Sequence, residues 1–436
     1  MKIGLIVDSP QRDLPGTVAL AIELLNNNLK PFLVPGNLRS YEIGKIKPDY
    51  VLLPNLRWPY MKLAKFLKYN GVGVGVIESE GGFVNQTTDL LQTYDRNINY
   101  DNLVDDWFFW GPKFKNSFID YLGLNRSQCH VVGNPKFDLY KLKKENNFKK
   151  KILIATGFPF YNNILGKEET WKSEKKHNIS EKDLKRDYEN QKKQFSEAIK
   201  FINDISQKYP DYEFVIRPHP FENLYTYIEE LHFKNVTIDN SKFSHQALSE
   251  TSLLIHFISS LAYEASLYNL NNIAIKNMIP ENTLNSNNPL LEITRFAQNK
   301  EELINNLENY INFKNDLNIS LENYVYHDTD ATSSELISSV ISKYKMIKVN
   351  KNQLDKLIYG FISNENLSYS KYKLRRIFNI KLKFRLNLKN RVKNWKKSFK
   401  HFSLKEVESI IADLGSNIVL NYFDKDKTSI ELQSEK

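Results

Sequence analysis

The sequence contains one cysteine, Cys129, in 436 residues. No disulfide can form within the chain, which fits a reducing compartment. No stretch approaches the ~20 consecutive apolar residues that a membrane-spanning helix needs. The opening run Ile3–Val7 is about one strand long and stops at Asp8, which argues against a signal peptide. There is no P-loop, no Gly-x-Gly-x-x-Gly after a strand and no zinc-type Cys/His cluster. Asp328-Thr329-Asp330 and Asp424-Lys425-Asp426 look like metal ligands. The first precedes a helical stretch and suits a cap, and the second lies among tail lysines, so neither is assigned a metal and no cofactor is expected. Acidic residues are missing altogether from 371–400, which hold thirteen Lys or Arg. The rest of the chain, +10 less +13, is net −3. The basic balance therefore belongs to the C-terminal region and implies an anionic partner for that region alone.

What is present is length, apolar content and alternation. At 436 residues with 41% hydrophobic residues, the chain suits two domains and an appendage. Apolar runs at Ile3–Val7, Phe32–Val34, Tyr50–Leu53, Val72–Ile77, Trp107–Trp110 and His130–Val132 alternate with stretches of helical spacing. The pattern restarts after a Lys/Asn-rich stretch with Lys151–Ala155, Phe214–Ile216, Val236–Ile238, Leu253–His256 and Ile273–Ile275. Such alternation implies parallel βαβ units. The expected fold is α/β, with two Rossmann-like domains over 1–145 and 146–345 facing across a cleft, and a basic extension over 346–436. Within that extension, Leu388, Val392, Trp395, Phe399 and Phe402 recur at helical spacing opposite basic residues. A segment of this kind over 371–402 can lie on an anionic membrane. A solvated helix, an oligomer contact or non-specific nucleic-acid binding remain open for it, although no nucleic-acid partner is expected.

Three polar clusters follow apolar runs, where open α/β sheets bind ligands. Arg217-Pro218-His219-Pro220 can present an imidazole donor and a guanidinium to phosphate, with the prolines holding the chain extended. A structural turn around a satisfied histidine is equally open. Ser259-Ser260 precedes a helical stretch and can cap it, bind an anion there, or both. Glu264, one turn further on, can accept two ribose hydroxyls or simply face solvent. Glu78-Ser79-Glu80-Gly81-Gly82 offers a carboxylate that can deprotonate an acceptor hydroxyl, Glu80 first and Glu78 second, or is only an acidic turn. Asp8, Arg12 and Asp13 can line the acceptor side or form a structural pair. Lys136 and Asp138 are weaker candidates.

These motifs and their order resemble the bacterial surface-carbohydrate proteins of the GT-B glycosyltransferase set, which includes capsule β-Kdo transferases, sialyl- and polysialyltransferases and teichoic-acid glycerophosphate transferases. Glu80-Gly81, His219-Pro220 and Ser259-Ser260 fall in the order of the sialyltransferase motifs. Val7 to Gly16 and Gly133-Asn134-Pro135-Lys136-Phe137-Asp138 look like segments of the surface-carbohydrate group. The resemblance spans roughly 1–345. It implies that His219, Ser259 and Ser260 hold a CMP-linked donor such as Kdo or a sialic-like acid, that Glu80 is the base, and that transfer is inverting and metal-free. One departure is that Ser79 splits the acidic pair, which leaves the identity of the base open. The expected partners are the nucleotide-sugar and a glycan or lipid-linked glycan acceptor. The expected place is the cytoplasm, peripheral to the inner face of the cell membrane. A polyol-phosphate transferase or sugar-nucleotide epimerase of the same fold, and a non-catalytic scaffold of a polysaccharide assembly complex, are the alternatives.

Overall fold

The computed structural model describes the chain except residues 80–90, 92, 142–149, 176–179, 240–242, 285–288, 313–323, 327–329, 346, 359–401, 424–428 and 435–436. Two compact units are present, one of Met1–Leu142 with Ser320–Lys436, the other of Lys143–Ile319.

In the first unit, β1 (Lys2–Val7), β2 (Lys30–Pro35), β3 (Tyr50–Leu53), β4 (Gly73–Ile77), β5 (Asp106–Phe109) and β6 (Cys129–Val131) form a parallel sheet. Their order is β2-β1-β3-β4-β5-β6, so the chain reverses direction across the sheet beside β1. The strands are apolar because helices cover both faces of such a sheet. Val74, Val76, Trp107 and Phe109 are buried in one cluster with Leu63, Leu67 and Phe118 from the helices Tyr60–Tyr69 and Pro112–Leu122.

The second unit restarts the same logic with β7 (Lys151–Ala155), β8 (Glu213–Arg217), β9 (Val236–Ile238), β10 (Leu253–His256), β11 (Asn272–Ile275) and β12 (Arg295–Ala297). All pairs are parallel and the order is β12-β11-β10-β7-β8-β9. Counted from β7 this is the 3-2-1-4-5-6 winding, with the switch point between β7 and β10. The 28-residue helix Glu181–Lys208 connects β7 to β8 and buries Phe195, Ala198, Phe201, Ile202 and Ile205.

The division differs from the expected one at its second boundary. The chain rejoins the first unit from Ser320, not 345. The helix Ser333–Ser342 packs there, capped by Thr332 and Glu335. Asp138 accepts from the Ser333 N–H (2.9 Å), the Ser334 N–H (2.9 Å) and the Ser334 hydroxyl (2.6 Å). Gly133 sits at φ +79°, where a Cβ would meet Ser333 Oγ and the Tyr326 carbonyl at 2.5 Å. Gly16 lets the helix Pro10–Asn26 press on the same segment, since a Cβ there would lie 2.3 Å from the Lys136 nitrogen.

The described residues after 346 are not a separate extension either. Leu354 is buried in the first unit's core. The helix Leu404–Asp413 carries a Ser403/Glu406 capping box. Gly415 follows it at φ +67°. β13 (Ile418–Tyr422) and β14 (Ile430–Ser434) then form a hairpin whose second strand pairs antiparallel with β2. Phe402 and Val407 occupy the positions of a hydrophobic staple and both are buried, so Phe402 belongs to the fold and not to a membrane-facing stripe. The remainder of 371–402 lies outside the described residues.

Asp138→Ala leaves the Ser333 and Ser334 N–H groups without their buried acceptor. The expected cost is about 2–4 kcal/mol, read as a lowered urea midpoint, while Asp138→Asn loses less.

Candidate functional site

The carboxyl edge of the second unit's sheet carries the loops after β8, β7 and β10, which leave three adjacent strands. With strands about 4.8 Å apart, the outer two loops start about 10 Å from each other. After β8 the chain does not stay extended. The Glu222 N–H donates to the His219 carbonyl (2.8 Å), closing a turn with Pro220 at its second position, where proline's fixed φ fits. The Phe221 N–H donates to His219 Nδ1 (3.2 Å), and the Phe221 ring stacks on the imidazole at 5.5 Å. Because Nδ1 accepts, the neutral ring carries its proton on Nε2. Burial lowers the His219 pKa, so the side chain is a neutral Nε2–H donor. Arg217 is not available to phosphate in the manner expected, since its guanidinium pairs with Asp239 beyond β9.

Beneath this turn lies Glu222, 1% exposed. Its carboxylate accepts from the Thr156 hydroxyl (2.6 Å), the His219 N–H (2.9 Å) and the Tyr227 hydroxyl (3.2 Å), and also from the Phe158 N–H. Burial raises its pKa, opposed by these hydrogen bonds. Between Thr156 and Phe158 stands Gly157, where an added Cβ would meet nothing within 4 Å.

The loop after β10 is held by another buried group. His256 is fully buried. Its Nδ1 accepts from the Ser259 N–H (3.1 Å), which places the ring proton on Nε2, 3.2 Å from Asn272 Oδ1. Burial pushes its pKa down to about 4. Ile258 between them has φ +58°, costly for a β-branched residue. The Ser259 hydroxyl accepts from the Leu261 N–H (3.3 Å). The Ser260 hydroxyl and N–H have no partner among the described residues. The helix that follows, Leu261–Leu267, has seven residues, so its dipole adds little to anion binding. Glu264 on it is buried, contrary to a solvated helix glutamate.

In the described part of the first unit's carboxyl edge the polar side chains meet partners within that unit. Tyr60 donates to Asp8 (2.6 Å). Asp13 accepts from the Ser9 N–H (2.9 Å) and pairs with Arg12 (2.6 Å), which reaches Ser79 Oγ (2.9 Å). Glu78 is 1% exposed, 3.2 Å from Arg57 and 2.5 Å from the Tyr94 hydroxyl. These contacts make Glu78 a structural carboxylate in place of a second candidate base. Asp8, Arg12 and Asp13 likewise form internal pairs. A cavity of about 40 Å³ remains, lined by Asp13, Gly16, Ser79 and Asn134 among others. Glu80, Gly81 and Gly82 lie outside the described residues. Lys136 stacks on Trp110 and Phe137, and Asp138 caps a helix. Among the described residues no group of three or more His, Cys, Asp or Glu is placed to hold a metal, and no helix is long and apolar enough to cross a membrane.

The sequence matches no protein-family model and no curated protein. Solved structures do resemble it. One is the UDP-GlcNAc 2-epimerase of Methanocaldococcus jannaschii in complex with UDP-GlcNAc and UDP, similar over 79% of this chain and 100% of that one, at 15% identity and TM-score 0.50. Another is the wall teichoic acid polymerase TagF, similar over 78% of this chain and 88% of that one, at 13% identity and TM-score 0.51. The likeness is one of fold. The chain has the two-domain, Rossmann-like α/β fold of the GT-B class.

Nothing in the sequence assigns a role to Glu222 or Tyr227, and Thr156 and His256 are marked only as the ends of strands. Glu222 lies three residues after His219, but nothing there marks it as buried. His256 ends an apolar strand, where a histidine reads as its last exposed residue. His256 gives a pH signature. Its folded pKa lies below the ordinary 6.5, so the unfolded chain binds the proton first. The stability due to the neutral ring is complete above pH 6.5 and is lost as pH falls toward about 4. The full effect is about 3 kcal/mol. His256→Asn should therefore unfold at lower urea than the native chain at pH 7.5, with the gap shrinking by pH 5.

Proposed function

We propose that this protein is an inverting glycosyltransferase of surface-polysaccharide assembly, capsule or lipopolysaccharide, using a CMP-activated acidic sugar. The observation that carries the reading is at the switch-point edge of the second unit. There His219 Nε2–H and the Ser260 hydroxyl and N–H stand on either side of the open Gly157 loop. Oriented donors on loops that leave strands about 10 Å apart suit the phosphate of a nucleotide, and they act more strongly on the charge that develops as it leaves. A neutral imidazole donates there without first losing a proton. In this reading Glu80 takes the acceptor hydroxyl's proton, Glu78 being tied to Arg57 and Tyr94, and no cofactor takes part.

A second reading keeps the fold and changes the chemistry. The two solved structures named above are an epimerase bound to UDP-GlcNAc and UDP and a teichoic acid polymerase. They support a nucleotide-linked substrate without selecting CMP, and leave a sugar-nucleotide epimerase or a polyol-phosphate transferase as alternatives. Calorimetric titration of CMP, CDP and UDP separates the cases. Selective CMP binding, weakened about tenfold or more by His219→Ala, is the expected result. UDP selectivity favours the epimerase and CDP selectivity the polyol-phosphate transferase. No binding of any nucleotide overturns the enzyme reading in favour of a scaffold. Glu80→Ala should keep nucleotide binding and lose transfer.

We also propose that the basic segment brings the enzyme to an anionic membrane bearing a lipid-linked acceptor, because thirteen Lys or Arg fall within 371–400 without an acid. Its flanks belong to one unit, through buried Leu354 before it and buried Phe402 after it. The native chain should pellet with anionic vesicles and release with salt. If a variant with those basic residues changed to Gln pellets equally, the membrane reading fails.

A further inference from the structure

We infer that Glu222 is a positioning residue, the acceptor that fixes the turn bearing His219 and the open loop after β7 as one edge of the nucleotide site. The inference rests on the reading of that edge as a nucleotide site. Glu222 is not itself placed to touch a ligand, since its side chain is enclosed. Every polar contact it makes is with a donor. Thr156 and Phe158 flank Gly157 on the loop after β7, the His219 N–H begins the turn after β8, and Tyr227 comes from the helix Leu224–Glu230. The single Tyr227 hydroxyl proton goes either to the carboxylate (3.2 Å) or to Thr156 Oγ1 (2.8 Å), and in the second case the hydroxyls form a relay ending at the carboxylate. Its own N–H closes the turn onto the His219 carbonyl.

The consequence runs to the imidazole. His219 donates through Nε2 only while the Phe221 N–H occupies Nδ1, and Phe221 is held there by the turn that Glu222 anchors at both ends. An ionised carboxylate accepts at both oxygens and donates nothing. Glutamine has nearly the same shape but presents an amide N–H to a ring of donors, so it cannot serve in its place. Charge-assisted hydrogen bonds to backbone N–H groups are the strong ones, which suits a carboxylate that must hold two loops despite burial.

The test is Glu222→Gln, read by ¹⁵N NMR of the His219 imidazole, assigned by its loss in His219→Asn. The native chain should show the Nε2–H tautomer. In Glu222→Gln the signals should move toward a mixture of tautomers, and nucleotide binding, measured with CMP, CDP and UDP, should weaken about tenfold, while far-UV circular dichroism still shows a folded protein. A folded Glu222→Gln with native tautomer and native affinity overturns the inference. If that variant does not fold, Thr156→Val and Tyr227→Phe each remove one donor and should move the His219 signals in the same direction; unchanged signals in both overturn it. The tautomer measurement needs no ligand. If the native chain binds no nucleotide, the proposed function fails and the role of Glu222 is still decided.

Discussion

A parallel sheet covered on both faces has one place for polar chemistry, the loops beyond its carboxyl ends. Those loops leave the sheet's ladder, and their N–H groups must find acceptors elsewhere or forfeit about 1–3 kcal/mol each when buried. In the second unit two enclosed side chains meet that demand. Glu222 takes the N–H groups of Phe158 and His219, and His256 takes that of Ser259. Burying a carboxylate is expensive unless its oxygens are filled, and here the Phe158 and His219 N–H groups and the Thr156 hydroxyl fill them, with the Tyr227 hydroxyl alongside. The loops are held because the carboxylate must be satisfied, and the carboxylate is satisfied because the loops are held.

The first unit answers the same demand differently. Its strand-end acids meet partners from its own loops and helices, Tyr60 on Asp8, Arg12 on Asp13 and Ser79, Arg57 and Tyr94 on Glu78. Two segments that looked like functional motifs turn out to carry packing. Gly16 and Gly133 are glycine because backbone atoms approach them from outside, and Asp138 is acidic because two serine N–H groups point at it. Together they seat the returning helix Ser333–Ser342. The described part of this edge is therefore largely engaged with itself, whereas at the second unit's edge the Ser260 hydroxyl and N–H have no partner among the described residues.

This contrast explains what the sequence could and could not show. Strands buried on both faces announce themselves as apolar runs, and Tyr50–Leu53, Lys151–Ala155, Val236–Ile238 and Leu253–His256 coincide with β3, β7, β9 and β10. β12 opens on Arg295 and buries only Ala297 of its three residues, so it leaves no apolar run. β13 and β14 lie far from β2 along the chain, so their pairing leaves no local mark. A charged residue at a strand end looks alike whether it meets a ligand or an internal partner. Arg217 pairs with Asp239 on the far side of a helix and a strand, and no spacing rule connects them. His219 and Ser260 were legible because proline beside one and a helix after the other constrain the backbone locally. Glu222 was not, because its meaning comes from four donors on three separate segments.

Ile258 shows how far the second unit's edge is shaped before any ligand arrives. A β-branched residue at φ +58° costs of order 1–3 kcal/mol and persists only where its surroundings impose it. Here the imposing contact is the Ser259 N–H on the buried imidazole of His256, whose other nitrogen lies against Asn272 on β11. The kink turns the chain so that Ser259 spends its N–H inward and Ser260 keeps its own. Neither buried holder brings positive charge to the edge, since His256 is neutral and Glu222 anionic or hydrogen-bonded throughout, and Arg217 is paired with Asp239. Any anion held there is held by oriented dipoles and not by a free cation from these loops. Dipoles act only at the right distance and angle, so in the nucleotide site proposed above the strain at Ile258 and the buried carboxylate at Glu222 serve one end, donors fixed in place by the fold itself.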